Sequence, residues 1–558
     1  MGNGTAASPE FDPDKIRDQL AWAAGYFHDF QSQAEQALEK GDFATAVAWA
    51  QVAADFAFRR HPGFYASPSL DSLLRQVAEN LQEQSAAWKN MSTTAAAPGF
   101  SAKPRILHVV TQAYRTGGHT RLLARLINNT ADRYVHNLVA TGQKSPLPDW
   151  LLTAVMASGG RYTSLSLSTV RLLSRAAALR DLSRSWADIV FLHTHPHDAV
   201  PVVAFGRDGG PPVIIMNHAD HGFWLGANVA DVVADYRLAG QGITLAQRGA
   251  RVSGILPIPL SEPGERLPKA MAREKLGIDK EQVVLLTISA PYKLTPFAGY
   301  DFLETVTEVL ARNKRAVLLA VGPAAEGKWL EASRRVDGRI MAVGSQSDLK
   351  IYHAGADVYL DSFPFGSFTS WLEAGILGVP VVGLTNVYAP MYTNLDVVSE
   401  KSKTHVDTIG EYGSVLETMI ANPDFRRFRG EEFRSELRSI HLMPGWNGFL
   451  EKIVALLPQS HSVDRKQKVS TEVNSNGVFL AGYNSLYDAG YTYAVSFRKQ
   501  GRHFPFATRC ELFWQSLRGT GRYGEFPFKS LIGEYPRFLL NRMVYRFNRF
   551  RKKKKLPI

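Results

Sequence analysis

The segment richest in chemical possibilities runs from Asp357 to Leu384, DVYLDSFPFGSFTSWLEAGILGVPVVGL. A strand-like run ends at Asp361, and a loop with Pro364 and Gly366 follows. A helix is expected to begin near Thr369, with Thr369 or Ser370 as its N-cap. Backbone N–H groups in such a loop, with the positive end of the helix dipole, make an anion cradle. Glu373, one turn into the helix, places a carboxylate where it could hold the two hydroxyls of a ribose. The same spacing also fits an ordinary βαβ crossover with a capped helix. Histidines are the second resource. His193-Thr194-His195-Pro196-His197-Asp198 and Asn217-His218-Ala219-Asp220-His221 each end a strand-like run. They invite a metal reading, but no carboxylate cluster from the rest of the chain completes such a site. No metal is expected, and His218 and Asp220 are the residues placed on a cleft wall to share proton transfer. His119, which follows Gly117 and Gly118, is a further candidate base or ligand, or simply a residue of a helix start.

These side chains need a frame that aims them at one place. Residues 15–95 read as helices, and AEQALEKGDFATAVAWAQVAADFAF looks like one tetratricopeptide-type hairpin around the break at Gly41-Asp42. One hairpin is fewer than the roughly three repeats an array needs, so a helical cap on a larger domain is the plainer reading. STTAAAP, Ser92 to Pro98, is the linker after it. From Lys103 onward, short apolar runs alternate with amphipathic helices: Ile106–Val110, Asp188–His195 and Pro211–His218. Ile255 to Leu260, ILPIPL, holds two prolines and is read as an interdomain linker. The alternation then restarts with Val283–Ser289, Ala316–Gly322, Arg339–Gly344, Asp357–Asp361 and Val379–Leu384. Continuous apolar strands separated by helices imply parallel sheets buried on both faces. Two such units suggest Rossmann-like domains facing a cleft, with ligands at the carboxyl ends of the strands. The expected boundaries are a cap over 1–100, one α/β domain over 101–262, a second over 263–458, and a C-terminal extension over 459–558.

The 357–384 segment resembles the donor-binding motif of GT-B glycosyltransferases. It is most similar to the family of O-GlcNAc transferase and the bacterial cytoplasmic N-glycosyltransferases, and more distantly to glycosyltransferase family 4. The matching positions are Leu360-Asp361, Pro364 to Gly366, Thr369-Ser370, Glu373 and Gly378-Val379-Pro380. The resemblance implies diphosphate binding by the Thr369-Ser370 helix start and ribose binding by Glu373. SAPYKLTP, Ser289 to Pro296, is similar to the Tyr-Lys-x-x-Pro segment whose lysine contacts the donor diphosphate. It implies that Lys293 neutralises the leaving nucleoside diphosphate. YRTGGHTRLLARL, Tyr114 to Leu126, resembles the Gly-Gly loop by which the first domain lets backbone approach the donor sugar. Gly117, Gly118 and Gly344 accordingly join the donor-binding set. Phe365 stands where family 4 has the first of two glutamates, and Phe368 where the O-GlcNAc transferase family has a histidine. Retention or inversion therefore stays open.

The whole-chain figures agree with this frame. The 558 residues exceed one hydrophobic core, and 45% apolar with 21% charged residues is a globular composition. A single cysteine leaves no disulfide framework. Net charge is +12, yet residues 501–558 alone hold 14 Lys and Arg against 3 Asp and Glu. The body is thus nearly neutral, which argues against nucleic acid as a partner. Residues 479–558 contain 18 aromatics, and the end reads YPRFLLNRMVYRFNRFRKKKKLPI. A basic amphipathic helix there reads first as attachment to an anionic membrane surface, with RNA or DNA binding and a disordered solubilising tail as the other readings. The N-terminal MGNGTAASPEFDPDK has no apolar stretch of a signal peptide, so a cytoplasmic, possibly peripheral, enzyme is expected. The expected activity is metal- and cofactor-free transfer of a hexosyl or N-acetylhexosaminyl group. The donor would be a nucleotide-sugar, UDP-linked, and the acceptor a glycan or lipid-linked molecule at the cytoplasmic membrane face. Protein O- or N-glycosylation and a non-catalytic scaffold are the alternatives.

Overall fold

The computed structural model describes residues 12–81, 93–95, 103–115, 118–167, 169, 171–265, 267–389, 404–470, 472–487 and 491–518. The chain opens with three helices. In α1 (Pro13–Glu39) the Asp12 carboxylate accepts the amides of Asp14 and Lys15. Asp42 caps α2 (Phe43–Arg59), and Ser67 caps α3 (Pro68–Glu79). Each side chain satisfies an amide that a helix start leaves without a partner. Gly41, at φ +72°, makes the turn between α1 and α2 in the left-handed region that a Cβ would disfavour. Every residue of α2 from Thr45 to Ala57 is buried. Its alanines let it lie close to neighbours on all sides: α1, two helices of the first sheet's unit and the C-terminal helix Tyr493–Gln500.

Two sheets follow. The first holds β1 (Thr93–Ala95), β2 (Arg105–Val110), β3 (Val135–Ala140), β4 (Arg161–Ser164), β5 (Ile189–His193), β6 (Val213–Asn217), β7 (Val232–Asp235) and β8 (Ser253–Ile255). Their order is β1-β4-β3-β2-β5-β6-β7-β8, parallel throughout except for β1. Helix α4 (Gly118–Thr130) follows β2. The second sheet holds β9 (Val283–Ile288), β10 (Ala316–Val321), β11 (Ile340–Ala342), β12 (Val358–Leu360), β13 (Val381–Leu384) and β14 (His405–Val406). It is parallel, in the order β11-β10-β9-β12-β13-β14. Both orders run outward from a first strand and then reverse, the doubly wound pattern in which ligands lie beyond the strand ends at the reversal. That point is β2/β5 in one sheet and β9/β12 in the other.

The apolar runs read from the sequence coincide with β2, β5, β6 and β9 to β13. Strand β3 escapes that reading because His136 and Asn137 interrupt its apolar run. Both are buried and satisfied internally: the His136 amide bonds Ser158 Oγ at 3.0 Å, and Asn137 Nδ2 donates to Trp186 O at 2.7 Å. Beyond Ile255 the chain leaves the sheet, and Trp446 Nε1 and His441 Nδ1 donate to the carbonyls of Pro257 and Ile258. The helix Gly445–Ala455 thereby crosses back to the first sheet, and a Cβ on Gly254 would come within 2.5 Å of Ile453.

Helices over Ser475–Tyr487, Tyr493–Gln500 and Phe506–Leu517 follow, the first two packed onto the cap. Phe497 stacks on Trp49 at 5.6 Å, and Phe504 meets the same indole at 4.8 Å. Phe479 and Tyr483 lie against Phe297 of the second unit. Part of the aromatic enrichment read as a surface anchor is therefore core packing, because these rings fill space between units. The sequence from 519 to 558, with the four lysines, lies outside the described residues. No described helix is long and apolar enough to cross a membrane.

Candidate active site

The loop after β12 is wound around a buried carboxylate. Asp361 Oδ1 accepts the amides of Ser362 at 2.9 Å and Ser367 at 2.8 Å. Burial raises the Asp361 pKa against the pull of these bonds and of nearby Lys293. Ser367, whose hydroxyl donates to Ile288 O at 3.0 Å, precedes the helix Phe368–Gly375. The N-cap is thus Ser367 rather than Thr369 or Ser370, because the Asp361 carboxylate ends the loop earlier than the Thr-Ser pair suggested. Thr369 and Ser370 sit in the first turn.

Lys293 comes from the turn after β9. Its Nζ donates to Gly366 O at 2.8 Å and lies 5.3 Å from the Phe365 ring centroid. Burial holds its pKa below the ordinary lysine value, although Asp361 opposes this. Gly344, at φ +70°, closes the neighbouring strand end and exchanges backbone bonds with the Gly322 and Pro323 turn.

The first unit supplies the opposite wall. A Cβ on Gly118, the first residue of α4, would stand 3.6 Å from Thr369 Oγ1. The N-termini of α4 and of the helix Phe368–Gly375 therefore converge on the same gap, and both dipoles favour an anion there. Gly117 lies outside the described residues. One turn deeper, Arg125 Nη2 bonds Glu373 Oε1 at 2.6 Å across the gap. Arg237, after β7, has its guanidinium 5.7 Å from the Phe368 ring centroid and its Nε 2.7 Å from Asp220. Neither arginine was singled out in the sequence; the strand before Arg237, VVAD, is four residues long and gave little signal.

His119 and His218 lie beside each other, with ring centroids 4.5 Å apart. His119 Nε2 lies 2.8 Å from His193 O, and His218 Nδ1 lies 3.2 Å from Met216 O. A carbonyl only accepts, so each of these nitrogens carries the proton. His119 Nδ1 and His218 Nε2 are then the bare, basic atoms. Burial lowers both pKa values, that of His218 to about 3. Asp220 differs from the expectation placed on it. Burial would raise its pKa, but Arg237 and His221 hold it well below the carboxylate range. A carboxylate so firmly paired is a poor proton acceptor and serves to fix Arg237 and His221.

A cavity of about 480 Å³ opens beside these imidazoles. Its walls come from the strand ends of the first sheet, from α2 of the cap and from the C-terminal stretch Lys499–His503. His221, in the same lining, packs edge-on against Phe365 of the loop after β12 at 5.7 Å. The cavity and the gap between the two units thus meet at His119, His218 and His221. Among the described residues no group of three or more His, Cys, Asp or Glu is arranged to hold a metal ion.

Two doubly wound sheets facing one cleft, with the helix Gly445–Ala455 returning to the first unit, form the GT-B fold. No protein-family profile matches the chain, and no curated protein matches it by sequence. Similar solved structures are GT-B glycosyltransferases. HepE of Anabaena, solved with UDP and glucose, is 16% identical, with a TM-score of 0.47 over 62% of this chain and 99% of its own. A glycosyltransferase of Rickettsia africae is 12% identical, with a TM-score of 0.48 over 64% and 99%. The O-GlcNAc transferase of Thermobaculum terrenum is 16% identical, with a TM-score of 0.44 over 80% and 84%.

Proposed function

We propose that the protein is a glycosyltransferase that moves a sugar from a nucleotide-sugar, UDP-linked, to an acceptor hydroxyl. The observation that carries this reading is the convergence of two helix N-termini, Lys293 and Glu373 on one interdomain gap. An anion placed there meets fixed dipoles and a lysine, the arrangement that stabilises a leaving diphosphate. Glu373 keeps lone pairs for ribose hydroxyls while it holds Arg125. The sugar faces His119 and His218, and the acceptor enters from the adjoining cavity. As the acceptor oxygen bonds to the anomeric carbon, its proton passes to His119 Nδ1 or His218 Nε2. The bond from that carbon to the diphosphate oxygen breaks, and the nucleoside diphosphate leaves with the electron pair. A Cβ on Gly118 would make only ordinary van der Waals contact with Thr369, at 3.6 Å, so this distance marks how closely the two helix starts approach. A glycan or lipid-linked acceptor at the membrane face is the reading supported by the basic sequence of residues 537–555.

Isothermal titration with UDP and UDP-sugars tests the proposal. Lys293→Ala removes a charge-assisted contact worth about 1.5–3 kcal/mol, so UDP binding should weaken roughly 10- to 100-fold. Glu373→Ala should weaken UDP binding more than it weakens inorganic pyrophosphate binding. Absent UDP binding, or unchanged affinity in both variants, rejects the donor site.

A further inference from the structure

The cavity beside the histidines has a charge pattern that sugar recognition alone does not require. Arg59, Lys144, Arg175, Lys499 and Arg502 line it, against the carboxylates of Asp55 and Asp198. Both carboxylates are saturated from within. Asp55 accepts from Lys499 Nζ at 2.7 Å, from Ser496 Oγ at 3.2 Å and from the Tyr491 hydroxyl. Asp198 accepts from Thr111 Oγ1 at 2.6 Å, Thr141 Oγ1 at 2.5 Å and the Val200 amide at 3.1 Å. The wall therefore holds three more cations than carboxylates, in an enclosure where charge is weakly screened.

The excess is focused at one end. Lys144, Arg175 and Arg502 share the cavity lining with His503. Burial lowers the His503 pKa most, and the charges of these three cations add to it. Arg502 Nε donates to His503 Nε2 at 3.2 Å. In the neutral ring the proton then sits on Nδ1, and that buried N–H has no acceptor. A buried donor without a partner, ringed by cations, is satisfied by an oxyanion.

We propose that this cavity is the acceptor subsite and that it recognises an acceptor carrying a phosphate group. The phosphate lies among Lys144, Arg175, Arg502 and the His503 Nδ1–H. The reacting hydroxyl lies at the other end, against His119 and His218. A phosphate, with up to two charges and three oxygens, can take several charged donors at once; a carboxylate, with one charge and two oxygens, takes fewer. The assignment rests on the glycosyltransferase reading for the word acceptor, but not for the anion site. It also gives the segment Tyr491–His503 a part in recognition, since Arg502 and His503 close a site that the first sheet and cap leave open.

The test is titration of the full-length protein with glycerol 3-phosphate, glycerol and acetate, with and without saturating UDP. UDP fills the donor cradle and so confines phosphate to the second site. Glycerol 3-phosphate should bind at least tenfold more tightly than glycerol or acetate in the presence of UDP. Lys144→Gln and Arg502→Gln should each weaken it at least fivefold, with donor affinity changed less than twofold. Lys144→Arg, which keeps the charge, should retain binding and guards against a folding defect, as do unchanged thermal melts. No preference for the phosphate, equal binding of acetate, or indifference to both Gln variants overturns the proposal. Phosphate binding without UDP binding would leave this site standing and reject the donor site; the converse would reject only this inference.

Discussion

At the scale of single residues, the two histidines proposed as bases have their tautomers set by backbone carbonyls. His193 O and Met216 O fix which nitrogen of His119 and of His218 carries the proton. Their lowered pKa values keep both rings neutral near pH 7. A base must be unprotonated to act, so its depressed pKa moves the loss of activity to lower pH. The acid limb of kcat/KM should fall well below pH 6.5, the ordinary histidine value of about 6.5 being the mark to beat. Lys293 behaves in the opposite sense. In its proposed role it attracts diphosphate only when protonated, and its folded pKa is lowered by burial. UDP affinity should therefore weaken as pH rises, beginning below the ordinary lysine value of about 10.4. A pH series of titrations checks both limbs; an acid limb at or above pH 6.5 would remove His119 and His218 as bases. Deeper in the first sheet, Thr130, His136, His108 and His193 form a bonded row, with contacts of 3.1, 2.9 and 3.0 Å. The Thr130 hydroxyl donates to Leu126 O, so each ring donates through Nε2 toward Thr130. This row satisfies buried polar groups and holds the strand ends from which His193 O reaches His119.

At the scale of elements, the site depends on where two short helices begin. The helix Phe368–Gly375 is fixed by its far end as much as by its first turn. Trp371 is fully buried and stacks on Phe433 at 5.6 Å. A Cβ on Gly375 would lie 2.4 Å from the Phe433 ring and 2.6 Å from Leu437. Gly375→Ala gains about 1 kcal/mol of helix propensity but overpacks this contact, which costs about 1–3 kcal/mol. The variant should be destabilised by up to about 2 kcal/mol, with weaker UDP binding as the first turn shifts. Denaturant titration reads the first and calorimetry the second; a more stable variant would show that the helix has room to move. The Arg125–Glu373 pair bridges the same gap from α4 with both side chains partly buried, at 19% and 25% exposure, so solvent and salt screen it less than a surface pair.

At the scale of the molecule, the cap, the first sheet and the C-terminal helices share one core, in which Trp49, Phe497 and Phe504 meet. The cavity is a product of that assembly, since α2, strand ends and Lys499–His503 each give a wall. The charge excess divides accordingly. Arg502 and His503 face inward, whereas the basic run Arg551-Lys552-Lys553-Lys554-Lys555 belongs to the sequence beyond the described residues. Each basic residue near an anionic surface contributes roughly 1 kcal/mol. A chain ending at residue 533 should lose flotation with phosphatidylserine vesicles yet keep its UDP affinity. Retention of the shortened chain on those vesicles would place the membrane contact elsewhere.

The sequence by itself determined what depends on local pattern. Continuous apolar runs announced most strands of two parallel sheets, and the spacing from Asp361 through Gly366 to Glu373 announced a loop that runs into a helix. It also marked Lys293 and His218 just after strands, and His119 at a helix start. Tertiary structure alone decided what depends on distant segments meeting. Arg125 reaches Glu373 over a separation of 248 residues, and Lys499 reaches Asp55 over 444. No periodicity encodes such pairs, because a side chain's partner is set by how whole units pack. The same limit explains Asp220, whose part changed once Arg237 was seen beside it, and the aromatics after Phe479, several of which proved to be core. Local spacing specifies the chemistry available at a strand end; only packing specifies which charges surround it and what it can bind.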